Sequence, residues 1–245
     1  MTKVAINGLG RIGRTALKII LDTPELELLA ANDIVPVDNL AYLLKYDTVH
    51  GRYPKTISAD SDHLLIDGKE CRILMEKDPS QLPWKELGID IVFECTGRFT
   101  RREDLEKHVR AGARYVILSA PAKSEDVVTV VHGVNHADGE VQILACASCT
   151  TNCITPVIEV MGRRIGIQKA IMTTLHAYTA SQAIVDLPNK NFRRGRAAGA
   201  NLVPTTTGAA IATTSMSAQK TSDITPKMLA GSTAVRLSVK HSRMA

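Results

Sequence analysis

Apolar residues in this chain fall into short runs bounded by turn formers, and these runs alternate with segments of helical period. Thr2–Asn7 has the length and apolar content of a strand buried on both faces. Residues 11–22 follow with a period near 3.6, which puts Ile12, Ala16, Ile19 and Ile20 on one side, and Pro24 limits the helix. Residues 28–32 read as a second strand that ends at Asp33. The strand pattern returns at 89–94, ending at Cys95-Thr96-Gly97, and at 114–118, ending at Ser119-Ala120-Pro121. It appears again at 142–146, just before Ser148-Cys149. Strands alternating with helices predict an α/β fold with a doubly wound parallel sheet. Residues 47–88 read as a β-rich insertion, in which Asp67-Gly68 turns a hairpin between 64–66 and 70–74. Further on, the pattern predicts a helix over about 150–164 despite Pro156, then a long strand over 167–178 carrying His176.

Composition narrows the class. A chain of 245 residues with 44% hydrophobic and 22% charged residues can bury one large core or two small ones. No run is long enough to span a bilayer, and the chain enters its first strand directly, so neither a membrane partner nor a signal peptide is expected. Five cysteines, an odd number without framework spacing, are expected to be reduced thiols in the cytoplasm. A net charge of +5 suits nucleic acid, or equally a phosphorylated substrate and a dinucleotide. With one Trp and three Phe there is little to stack on bases, so no nucleic-acid partner is expected.

The turn after the first strand reads Gly8-Leu9-Gly10-Arg11-Ile12-Gly13. Gly8 would allow the tight turn, Gly10 would let backbone approach a pyrophosphate, and Gly13 would let helix and strand pack closely. The helix N-terminus, starting at Arg11 and Ile12, offers unpaired N–H groups to phosphate. Asp33 follows at the interval that suits a ribose 2′-OH, and its charge would repel a 2′-phosphate, favouring NAD over NADP. Thr96, Gly97 and Ser119, at the carboxyl ends of further strands, would line the same groove. The glycines alone also fit an ordinary strand–turn–helix, and Thr-Gly and Ser-Ala-Pro also fit plain turns. The complete unit with its acid favours the cofactor.

The second chemical centre is Ser148-Cys149-Thr150-Thr151-Asn152-Cys153. A thiol at a helix start loses its proton more easily, and a histidine beside it, with His176 the candidate, would add to this and relay protons. Cysteine is often a small buried hydrophobe, and that is the expected role of Cys153, whereas the hydroxyls around Cys149 favour a nucleophile there. Cys146 and Cys149 also spell a redox or zinc pattern, with Cys153 and His176 as further ligands. Strand end and helix start need not converge, so no metal site is expected; an oxidative Cys146–Cys149 disulfide stays open. Arg193-Arg194-Gly195-Arg196 is the densest basic run and suits a substrate phosphate or salt bridges better than nucleic acid.

Residues 148–153, together with His176-Ala177-Tyr178-Thr179 and Pro204-Thr205-Thr206-Thr207-Gly208, resemble the phosphorylating glyceraldehyde-3-phosphate dehydrogenases. The likeness runs from about residue 3 to 214. It implies an NAD-binding domain over 1–148 and the first part of an α+β catalytic domain over 149–214. Asp186-Leu187-Pro188 resembles the form found in NAD-preferring members, and Lys77 stands where many relatives have arginine. The resemblance implies that Cys149 attacks the aldehyde of glyceraldehyde 3-phosphate and His176 takes the proton. It implies that Ser148, Thr150, Thr207 and Gly208 bind inorganic phosphate, and that Thr179 and Arg194 hold substrate phosphates. A relative acting on erythrose 4-phosphate would share the same thiol and cofactor. Family members form tetramers and continue through further strands and a terminal helix. Here the pattern changes near Thr214, and 215–245 is expected to be a departing tail from a shifted frame or a truncation, which weakens the expectation of a tetramer and of turnover.

Overall fold

The computed structural model describes residues 1–167 and 170–216. Most of the stretch expected to depart from the family, 217–245, lies outside the described residues, as do 168 and 169 of the expected strand at 167–178. The chain divides into two compact units. One comprises Met1–Val130 with Ala137–Ala147, and the other comprises, among the described residues, Val131–His136 with 148–167 and 170–216.

The first unit runs β1 (Thr2–Asn7), α1 (Arg11–Leu21), β2 (Leu26–Asn32), α2 (Val37–Lys45), β3 (Tyr46–Asp47), β4 (Gly51–Arg52), β5 (Ile57–Ala59), β6 (His63–Ile66) and β7 (Lys69–Leu74). It continues with a short helix α3 (Trp84–Leu87), β8 (Ile91–Glu94), α4 (Arg102–Arg110), β9 (Tyr115–Leu118), β10 (Val128–Thr129) and β11 (Ile143–Ala145). Nine of these strands form one sheet in the order β10-β11-β9-β8-β1-β2-β7-β6-β5. All pairs from β10 to β7 are parallel, and β6 and β5 add antiparallel strands at the far edge. The expected hairpin joins β6 to β7, with Asp67 at φ 49° and Gly68 at φ 78°, the left-handed pair that a tight hairpin turn needs.

Strand order reverses at β1, between β2 on one side and β8 on the other, so this sheet has a topological switch point where α/β folds bind ligands. Side chains of β1 alternate between two cores. Val4 and Ile6 pack with Leu17 and Ile20 of α1 and with Leu40 and Leu44 of α2, while Ala5 faces Trp84, Leu82 and Val92. A third core joins Leu105 of α4 to Val116, Leu118 and Ile143. The buried stripe of α1 is Gly13, Leu17 and Ile20, which differs from the expected one: Ile12 and Ile19 are exposed. The close approach of helix to strand at Gly13 fixes the rotation of α1, and hydrophobicity yields to that constraint.

In the second unit α5 (Cys149–Arg164) packs on α6 (Ala209–Met216), with Ile154, Ile158, Ile167, Ala170 and Ala209 as core. The expected strand over 167–178 does not form among its described residues, 170–178. A strand needs a hydrogen-bonded neighbour, and no other described segment of this unit is a strand to supply one. Pro156 sits inside α5 without ending it. Cys153, expected to be buried, is exposed, because the buried face of the helix passes through Thr151, Ile154, Thr155 and Ile158. Among the described residues no helix is long and apolar enough to cross a membrane.

Candidate active site

In the first unit the glycine turn is built by close contact. Gly8 has φ +94°, and a Cβ there would lie 2.7 Å from the Thr96 nitrogen. A Cβ on Gly13 would collide with the Gly8 carbonyl, whereas one on Gly10 would meet nothing within 4 Å. Gly10 caps α1 without any side-chain cap, so the helix turns N–H groups of its first turn toward open space. That cradle fits a pyrophosphate. Arg11 and Ile12 are exposed on this first turn. Asp33 is tied to the same loop: Leu9 N–H donates to its Oδ2 at 2.6 Å and Val35 N–H to its Oδ1 at 3.1 Å.

Gly97 has φ +69°, and the Thr96 and Ser119 amides bond to the side chain and carbonyl of Glu94 respectively. Thr96, Gly97 and Ser119 therefore cluster at the carboxyl ends of β8 and β9, beside the Gly8 turn. Lys77 is exposed on the loop after β7. Burial pushes the Cys95 thiol up to about 11, against a bond to Ser119 that lowers it. Sequence reasoning passed over Asn7, Asn32, Glu94 and His108, which are all at most 5% exposed. Their signal was present: three of them end the buried strands β1, β2 and β8, where an apolar residue would be expected.

The second unit centres on the start of α5. Ser148 is the N-cap, accepting the Thr151 N–H at 3.0 Å, so Cys149 is the first helical residue. The Cys149 Sγ lies 3.2 Å from His176 Nε2. The His176 Nδ1 lies 2.6 Å from the Ala177 carbonyl, an acceptor only, so Nδ1 carries a proton and donates it there. This tautomer, assigned from the partners, leaves Nε2 to interact with the thiol. Burial by itself would raise the Cys149 thiol. The His176 bond and charge, with bonds from the Thr150 amide and hydroxyl, outweigh it and hold the thiol below its ordinary value.

A cavity of about 680 Å³ opens at this pair, lined by Ser148, Cys149, Thr150, His176, Thr179 and Thr207 among others. Most of the residues expected to handle phosphate therefore share one cavity. Gly208 and Arg194 stand just outside its lining. The Arg194 Nη2 donates to Thr206 at 3.4 Å, and its Nε is buried without a hydrogen-bond partner. The loop that carries Arg194 is closed by Leu187 N–H to the Gly195 carbonyl at 2.8 Å and by the Asp186–Arg196 ion pair. Gly195 is required there, since a Cβ would strike the Leu187 carbonyl. Gln182, unnoticed in the sequence, accepts the Thr179 N–H at 2.8 Å and orients that residue.

A glycine cradle at a switch point and an activated thiol with its histidine can be compared with known proteins. The sequence model for the NAD binding domain of glyceraldehyde 3-phosphate dehydrogenase matches residues 2–102, and that for the C-terminal domain matches residues 148–241. The chain belongs to the glyceraldehyde-3-phosphate dehydrogenase family. It is 50% identical over 211 residues to the glyceraldehyde-3-phosphate dehydrogenase of Geobacillus stearothermophilus, covering 85% of this chain and 63% of that one. It is 50% identical over 214 residues to the Thermotoga maritima enzyme, covering 86% and 64%. Glyceraldehyde-3-phosphate dehydrogenase 1 of Bacillus cereus is 47% identical over 213 residues, with 86% and 64% covered. The chain thus spans slightly less than two thirds of the length of these relatives. The C-terminal family match runs beyond residue 214, through part of the stretch read as departing from the family.

Proposed function

We propose that this chain is an NAD-dependent, phosphorylating glyceraldehyde-3-phosphate dehydrogenase of glycolysis. The observation that carries the reading is the Cys149–His176 pair, 3.2 Å apart at the N-terminus of α5. NAD is the cofactor of the first unit and would be held by Gly8, Gly10, Gly13, Asp33, Thr96, Gly97 and Ser119, with Arg11, Ile12 and Lys77 at the rim. When bound it supplies the hydride acceptor.

Cys149 Sγ adds to the aldehyde carbon and forms a hemithioacetal. His176 Nε2 takes the hydroxyl proton as the hemithioacetal is oxidised to a thioester. Backbone N–H groups at the start of α5 stabilise the oxyanion. Inorganic phosphate, held by Ser148, Thr150, Thr207 and Gly208, then attacks the thioester carbon. The thiolate leaves, and the product is an acyl phosphate. Thr179 and Arg194 hold the phosphate of the substrate, and the bond from Arg194 Nη2 to Thr206, which lines the cavity, supports that role. We place the protein in the cytoplasm, where five cysteines without framework spacing suit reduced thiols.

The test is NADH formation at 340 nm from glyceraldehyde 3-phosphate and NAD, with and without phosphate. We expect turnover that depends on phosphate and falls by at least a thousandfold in Cys149→Ser. Erythrose 4-phosphate as the better substrate would move the reading to a related aldehyde dehydrogenase. A folded, NAD-binding sample without turnover would restrict the chain to cofactor binding.

A further inference from the structure

A chain of buried hydrogen bonds runs beneath the glycine cradle. At one end the Asn32 amide is pinned by backbone: its Nδ2 donates to the Glu76 carbonyl and its Oδ1 accepts the Glu76 N–H, each at 2.8 Å. Its Nδ2 also donates to Asn7 Oδ1 at 2.7 Å, so Asn7 must turn its own Nδ2 toward Glu94 Oε2, at 2.5 Å. At the other end the Trp84 indole N–H can only donate, and it meets His108 Nδ1 at 3.0 Å. His108 therefore carries its proton on Nε2 and donates it to the same Glu94 Oε2 at 3.1 Å. The other oxygen, Oε1, accepts the Thr96 N–H at 2.8 Å and the Thr96 hydroxyl at 2.5 Å.

Three donors therefore have a fixed direction, the Asn7 Nδ2, the His108 Nε2 and the Thr96 backbone N–H, and with the Thr96 hydroxyl they converge on Glu94, which is wholly buried. The two carboxyl oxygens of Glu94 together meet all four groups. We infer that Glu94 is a positioning residue for the dinucleotide site: its buried carboxyl group anchors the Thr96–Gly97 loop against Gly8 at the switch point. This rests on the cofactor reading given above.

An amide at position 94 cannot satisfy the same partners. Turned with its oxygen toward Asn7 and His108, it keeps those two bonds, and the Thr96 hydroxyl can rotate to accept from its NH₂. The Thr96 backbone N–H is then left facing a donor. Glu94→Gln therefore spares the buried chain and loosens the cofactor loop.

Calorimetric NAD titration of the full chain tests this, with iodoacetamide alkylation of Cys149 as a readout in the second unit. We expect Glu94→Gln to bind NAD at least tenfold more weakly while Cys149 is alkylated at the wild-type rate. Glu94→Asp, which keeps the carboxyl group but falls one methylene short of holding both sets of donors, should also bind more weakly. Amide hydrogen exchange of the unsubstituted protein without NAD provides an independent check, and needs neither variant to fold. The Thr96 amide should exchange as slowly as its β8 neighbours. Equal NAD affinity in Glu94→Gln, or rapid exchange at Thr96, overturns the inference. Absence of NAD binding by the unsubstituted protein would instead overturn the cofactor reading on which it rests.

Discussion

Cys149 and Cys71 carry the same thiol and meet opposite fates. Cys71 is buried among apolar side chains, which pushes its thiol up to about 12. Cys149 is also penalised by burial, but the His176 bond and charge and the Thr150 amide and hydroxyl reverse the sign. A lowered value means that thiolate persists as pH falls, so alkylation of Cys149 by iodoacetamide should have its inflection below that of an ordinary cysteine, about pH 8.5. In His176→Asn the inflection should move up, because the largest compensating contribution is gone while burial stays. Mass mapping of the same reaction should find Cys149 modified first and Cys71 only after unfolding. An inflection unmoved by His176→Asn would mean that the pair does not interact in solution. At this scale the motif around Cys149 was legible in sequence, because hydroxyls next to a thiol at a helix start are unusual. The exposed state of Cys153 was not, since it depends on which face of α5 meets α6.

At the scale of elements, the glycines of the β1–α1 turn separate stability from binding. Ala at position 13 would drive a methyl group into the Gly8 carbonyl, an overpacking that costs about 1–3 kcal/mol. Ala at position 10 meets open space and costs only glycine's advantage over alanine at an N-cap, on the order of 0.5–1 kcal/mol, while NAD affinity falls because the methyl occupies the cradle. Urea unfolding of both variants checks the contrast, and equal destabilisation would contradict it. The β1–α1–β2 unit was readable because strand, glycines, helix and acid follow in a fixed order. Helix α4 passed unnoticed: it buries only Leu105 and His108 and otherwise reads as charge, with Glu103 and Asp104 in its first turn and Lys107 and Arg110 in its last. The strand expected over 167–178 rests on local pattern, and local pattern cannot supply a pairing partner.

At the scale of the molecule, the chain has a single tryptophan, and Trp84 lies fully buried in the first unit. Its fluorescence therefore reports the unfolding of that unit. NAD at a hundred times its dissociation constant should stabilise the observed transition by about 2.7 kcal/mol. NADP at the same concentration should do less, because Asp33 would face a 2′-phosphate. A fluorescence midpoint indifferent to NAD would count against cofactor binding by the first unit. Sequence by itself determined the family and the α/β class and named the candidate site residues, because these rest on local order: strand, turn, cap and motif. Tertiary structure decided which face of α1 is buried, that no described residue of 170–178 is in a strand, and how the Glu94 network is polarised. Each of these depends on groups far apart in the chain. The partners that fix the direction of one buried carboxyl group, Asn7, Thr96 and His108, are scattered along the sequence, and no local pattern records that they meet.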